Sequence, residues 1–192
     1  MPGITCKEAV RRWEQRTGMS PAEATEVSLI CQLPNPLDRM DDTLNQFENC
    51  TKLSLSTNAI DRMIALPRLK QLKILSLGRN NIKRITGLED VAGTLEELWI
   101  SYNSIDRLDG VQPCQKLHTL LISNNKIKNW DEVGRCANLA ELKSILLVGN
   151  PIYGDRTRQE NWPQVVRRIA NVETVDGFMV TAAVRAEAEA LD

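Results

Sequence analysis

Histidine is nearly missing from this chain: of 192 residues only His118 carries an imidazole, beside the apolar Leu117 and with no serine or cysteine frame around it. A nucleophile-and-base arrangement therefore lacks its usual base. The five cysteines, Cys6, Cys31, Cys50, Cys114 and Cys136, form an odd and scattered set with no C-x-x-C pair. Such a set argues for reduced thiols rather than a disulfide scaffold or a zinc site. No stretch approaches the roughly 18 uninterrupted apolar residues of a membrane span, and the opening MPGITCKEAVRRWEQR has no apolar h-region, so neither a span nor a secretion signal is expected. The phosphate-cradling signatures G-x-x-x-x-G-K-[ST] and G-x-G-x-x-G are absent. Glu96 and Glu97 are adjacent and point to opposite sides of a strand, so they make no paired acid and base. The net charge of −1 supplies no global positive field, which excludes a dedicated nucleic-acid or membrane-surface binder and leaves any electrostatic partner to a local patch. The sequence thus predicts no catalytic residues, no cofactor, no metal and no enzyme.

What is present is a period. Asn58, Asn80, Asn103, Asn125 and Asn150 recur at intervals of 22, 23, 22 and 25 residues, each preceded by two aliphatic residues on alternate positions and followed two residues later by isoleucine. That is the signature of a leucine-rich repeat, one short strand plus one returning convex segment per coil. Leu53, Leu75, Leu98, Leu120 and Ile145 share the fourth repeat position, and Leu55, Leu77, Ile100, Ile122 and Leu147 the sixth. Both point inward from a parallel strand, and the residue between them points out. Ile60, Ile82, Ile105, Ile127 and Ile152, then Met63, Ile85, Leu108 and Trp130, carry the core around the bend. The asparagine is a structural residue, because a buried amide can satisfy a donor and acceptors of adjacent coils at once. The longer fourth coil predicts a longer convex helix near DEVGRCANLAEL.

One such coil cannot bury its own apolar edge, so the ends need caps. A capping box of Thr5 and Glu8, with Cys6, Ala9, Val10 and Trp13 on one stripe, predicts an N-terminal helix. After a second start at Ser20-Pro21-Ala22-Glu23, Leu29, Leu33, Leu37, Met40 and Leu44 suggest a degenerate coil, with Pro34 and Pro36 unsuited to an interior strand. At the far end Val165, Val166, Ile169 and Val172 have helical spacing, Asp176-Gly177 makes a turn, and Val184, Ala188 and Leu191 form a last helical stripe. The expected organisation is one α/β solenoid domain over 1–192: a helical cap over 1–26, a degenerate coil over 27–49, five repeats over 50–160, and a cap with a helix over 161–192.

The block LSLGRNNIKRITGLEDVAGTLEELWISYN, residues 75–103, resembles the leucine-rich-repeat light chains of axonemal outer-arm dynein. LSLSTN (53–58), SNNKI (123–127) and VDGFMV (175–180) extend the similarity over nearly the whole chain, while the longer fourth coil and the Ala/Glu ending depart from it. The resemblance implies a non-enzymatic accessory subunit in the cytoplasm and the axoneme of cilia or flagella. It would be bound to a dynein heavy chain at the microtubule-binding domain of the stalk, and would modulate motility. Repeats of this length are also similar to those of phosphatase-regulating subunits and of the spliceosomal A-prime protein, so an adaptor of another complex stays open. The isolated chain is expected to be a monomer.

Two surfaces are candidates for partners. On the concave face the outward positions offer Ile74, Arg79, Trp99, Tyr102, Leu121, Asn124, Leu146 and Val148, with apolar residues stacked in the last three repeats. Exposed contiguous apolar area marks a contact site, and aromatic and Arg side chains are favoured anchors. The competing arrangement has the C-terminal helix folded over Leu121 and Leu146. Along one edge, Arg62, Arg84 and Arg107 stand four residues after their asparagines and Lys83 and Lys128 three after theirs, with Asp61 and Asp106 interleaved. Under the dynein resemblance this edge would face acidic tubulin directly; otherwise it is a solvated face.

Overall fold

An aliphatic pair separated by one outward residue sustains a strand only a few residues long, and the chain then has to return before it can add the next. The computed structural model, which describes residues 3–191, shows that outcome. Strands β1 (Glu26–Ser28), β2 (Lys52–Ser54), β3 (Ile74–Ser76), β4 (Glu97–Trp99), β5 (Thr119–Leu121), β6 (Ser144–Leu146), β7 (Thr174–Val175) and β8 (Phe178–Met179) line up in chain order in one sheet. From β1 to β7 every pairing is parallel, with Val27, Leu53, Leu75, Leu98, Leu120, Ile145 and Val175 side by side. All seven are buried, as are the sixth-position residues from Leu29 to Leu147. The core is a continuous spine between the sheet and the convex segments.

The convex side carries short 3-10 turns such as Asp109–Val111 and, in the lengthened fourth coil, α2 (Trp130–Gly134). Helix α1 (Cys6–Thr17) covers the first coil with Cys6, Ala9, Val10 and Trp13, the Trp13 ring meeting Phe47 edge-on at 5.3 Å. Only half of the expected capping box forms there. Thr5 Oγ1 accepts from Glu8 N at 3.2 Å, but the Glu8 carboxylate accepts from Arg11 and Arg12 instead, at 2.8 to 2.9 Å. The first coil also differs in register. Val27 and Leu29 are its inward pair and Gln32 stands where later coils have asparagine, while Leu33, expected inside, is 72% exposed.

At the other end α3 (Arg158–Arg168) opens on a full capping box of Thr157 and Glu160. The last coil then closes by the antiparallel pairing of β7 with β8 across Asp176 (φ 51°) and Gly177 (φ 83°), two left-handed residues as a tight hairpin demands. Asp176 takes over from the missing next strand. Its carboxylate, 4% exposed, accepts from Leu147 N at 2.8 Å, Val148 N at 2.9 Å and Tyr153 Oη at 2.7 Å. Helix α4 (Ala182–Glu189) packs along α3, burying Ala188, and Arg185 donates to the carbonyls of Ala170 and Val172 at 2.8 Å each. It does not lie on the concave sheet, where Leu121 and Leu146 remain half-buried.

Candidate functional site: the concave face and its rims

The corner of each coil sets where the neighbouring side chains point. In the five repeats the asparagine makes one pattern. Asn103 Nδ2 donates to Leu77 O of the preceding coil and to its own Ile100 O, both at 3.0 Å, and Oδ1 accepts from Ile82 N at 2.9 Å. Asn80, Asn125 and Asn150 repeat these three bonds in their own coils. Asn58 reaches Leu29 O and Leu55 O and accepts from Leu37 N and Gln32 N. The ladder consumes the amides as structure and leaves none for a ligand.

The residue before each corner, Gln32 in the first coil and the asparagine in the five repeats, turns the chain out of the strand, and every one is left-handed: Cys31, Thr57, Arg79, Tyr102 and Asn124 at φ 47–58° and Gly149 at 80°. Non-glycine residues enter this region at a cost. At Gly149 a side chain would run into the Asn124 amide, which explains glycine there. The turn also projects these side chains along one rim. Arg79 lies over the Tyr102 ring at 4.4 Å, and Tyr102 is 48% exposed.

Between the rims the concave face has two halves. The fifth-position column reads Ser28, Ser54, Ser76, then Trp99, Leu121, Leu146. In the polar half Ser56 and Ser76 share a hydroxyl hydrogen bond at 2.7 Å. In the apolar half Trp99, Leu121, Leu146 and Val148 are half-buried and contiguous. Trp99 marks the boundary: its Nε1 donates to Glu97 Oε2 at 2.8 Å, and the Lys52 ammonium stands 5.7 Å from its ring centroid. A cleft of about 490 Å³ opens beside it, lined by Lys52, Ser54, Ser76 and Trp99 on the sheet and Arg16 at the end of α1. Ile74, between Lys52 and Glu97 on the sheet, and Asn124, on the rim, are both half-buried. The indole is therefore oriented and only half-buried, which suits an anchor for another protein.

The far edge holds Arg62, Lys83, Arg84, Arg107 and Lys128, all exposed. Arg107 pairs with Asp109 at 3.0 Å. Periodicity did not reveal that Arg39 belongs to the same column. Leu37 donates its N–H to Asn58 Oδ1 as Ile60 does to Asn80 Oδ1, so Leu37-Asp38-Arg39-Met40 is the structural counterpart of Ile60-Asp61-Arg62-Met63. His118 is half-buried, its Nδ1 2.9 Å from Thr119 Oγ1. Among the described residues no group of three or more His, Cys, Asp or Glu is placed to hold a metal ion.

An open parallel sheet lined by an asparagine ladder, with a partly apolar concave face, defines a leucine-rich-repeat protein. The family model described as a leucine-rich repeat matches residues 23–120. The chain is 45% identical to human dynein axonemal light chain 1 over 177 residues, 92% of this chain and 93% of that protein. It is 49% identical to the Xenopus laevis protein of that name (90% of each chain) and 43% identical to the Chlamydomonas reinhardtii one (96% of this chain, 94% of that). The chain belongs to the dynein axonemal light chain 1 family. Among solved structures it is similar to the Drosophila melanogaster SNF/U2A′ complex, with a TM-score of 0.55 at 17% identity over 97% of this chain and 91% of that one. Internalin C2 of Listeria monocytogenes gives 0.55 at 22% identity over 71% and 55%. At such identities these two likenesses show the fold alone.

Proposed function

We propose that this chain is a non-enzymatic light chain of axonemal dynein that holds the heavy chain, at its microtubule-binding stalk domain, on the concave face of the solenoid. The observation that carries the reading is the oriented Trp99 at the head of the apolar column Leu121–Leu146, left uncovered by α4. Water-facing strand positions in an open sheet are polar unless a partner covers them, and here the change from serine to apolar residues is abrupt. Relatives named dynein axonemal light chain 1, at 43% to 49% identity over nine-tenths or more of this chain, support the partner assignment. The chain then works in the cytoplasm and the ciliary or flagellar axoneme. Its rim of arginines is the side we assign to the microtubule, and through both contacts the subunit modulates motility.

Affinity purification of the tagged chain from ciliated cells, with the bound polypeptides identified, tests this. A dynein heavy chain in stoichiometric amount is the expected result. A phosphatase catalytic subunit or a ribonucleoprotein component in its place would assign the concave face to a different complex.

A further inference from the structure

We propose that the arginine edge is a furrow that captures an extended acidic segment of a polypeptide, laid across successive coils. The in-register sheet repeats equivalent side chains at about the 4.8 Å strand spacing, so Arg39, Arg62, Arg84 and Arg107 stand in file over roughly 15 Å. Two clefts of about 450 and 400 Å³ run along that file and meet at Asp61 and Arg62. Asp38, Arg39, Met40 and Ile64 line the first and Lys83, Arg84 and Thr86 the second, with Asp61 and Arg62 common to both. The outer arginines are engaged, Arg39 with Asp38 at 3.5 Å and Arg107 with Asp109 at 3.0 Å. Arg62 and Arg84 have no hydrogen-bond or ion-pair partner among the described residues, and Lys83 between them has none.

Like charges on adjacent coils repel, and the two carboxylates of the clefts, Asp38 and Asp61, do not balance the four cations Arg39, Arg62, Lys83 and Arg84. A carboxylate from outside would relieve that repulsion and meet guanidinium forks suited to it. A furrow with a partly apolar, mainly cationic lining fits one extended chain better than a flat folded surface, and about five extended residues at ~3.3 Å each span the file. Carboxylates on alternate residues would all face the same way.

This rests on reading the edge as the side that meets an anionic partner, and the test separates the two ideas. Fluorescence anisotropy would follow a labelled peptide of about eight alternating Glu and Gly residues added to the isolated full chain at ~0.02 M and again at ~0.3 M ionic strength. Binding at low salt should weaken about tenfold in Arg62→Glu/Arg84→Glu, and by much less in Arg68→Glu/Lys70→Glu, which makes the same net-charge change on the convex side. High salt should weaken the wild type likewise. Absence of binding at low salt, or equal loss in the two double variants, overturns the furrow. Microtubule co-sedimentation of the light chain bound to the stalk domain supplies the second arm. If Arg62→Glu/Arg84→Glu/Arg107→Glu abolishes co-sedimentation while wild type ignores the peptide, the edge meets a folded surface and the furrow is wrong. If the peptide binds as expected and co-sedimentation is unchanged, the furrow stands and the microtubule assignment of this edge fails.

Discussion

In the four repeats from Asn80 to Asn150 a buried asparagine at the corner satisfies three backbone groups. A leucine of similar size fills the volume and serves none of them. For Asn103→Leu, the carbonyls of Leu77 and Ile100 and the N–H of Ile82 lose a partner. An unsatisfied buried group costs on the order of 1–3 kcal/mol, so thermal melting should fall accordingly, and an unchanged melting temperature would remove the ladder argument. The thiols offer an independent probe of the same packing. Burial pushes Cys6 and Cys136 up to about 12 and Cys50 and Cys114 up to about 11, whereas Cys31 is exposed on the rim. At about pH 8 a thiol held that high carries almost no thiolate. Iodoacetamide should therefore modify Cys31 alone in the native chain and all five thiols after denaturation; rapid native labelling of Cys114 would mean the central coils open.

At the scale of elements, Asp176 ends the solenoid by giving two backbone N–H groups and the Tyr153 phenol a carboxylate to bind. Burial, with the Asp176 charge beside it, pushes that phenol well above its ordinary range, so it remains a donor. Asp176→Ala should lower the melting temperature and speed hydrogen exchange in β6, α3 and α4 while β2 and β3 keep their protection, because each coil leans only on its neighbours. Uniform acceleration along the chain would contradict that. The five central strands and the helix of the fourth coil were legible in the sequence because each coil repeats one frame. The ends were legible only in part. Gln32 replaces the marker asparagine, and the segment Leu33–Pro36 lengthens the first corner, which placed Leu33 inside and hid Arg39 from the arginine column. The concave residues could be named from period alone, but the Trp99 to Glu97 bond depends on side-chain rotamers that no period encodes.

For the whole molecule, the solenoid keeps its two surfaces apart. The concave sheet and the arginine edge lie on different sides of the same coils, so one can be altered without unfolding the other. A subunit built this way can hold one partner and present charge to a second. Under the proposed function the concave face, through Trp99, holds the heavy chain. Isothermal titration of the chain with the heavy chain's microtubule-binding stalk domain, comparing wild type with Trp99→Ala, tests it most directly. The half-buried indole donates its hydrogen bond to a side chain, Glu97 Oε2, rather than to the backbone, so melting should stay nearly constant while affinity falls by about 2 kcal/mol or more, as for other aromatic anchors. Equal affinity of the two proteins, both folded, would contradict the account and move the docking surface off the concave face.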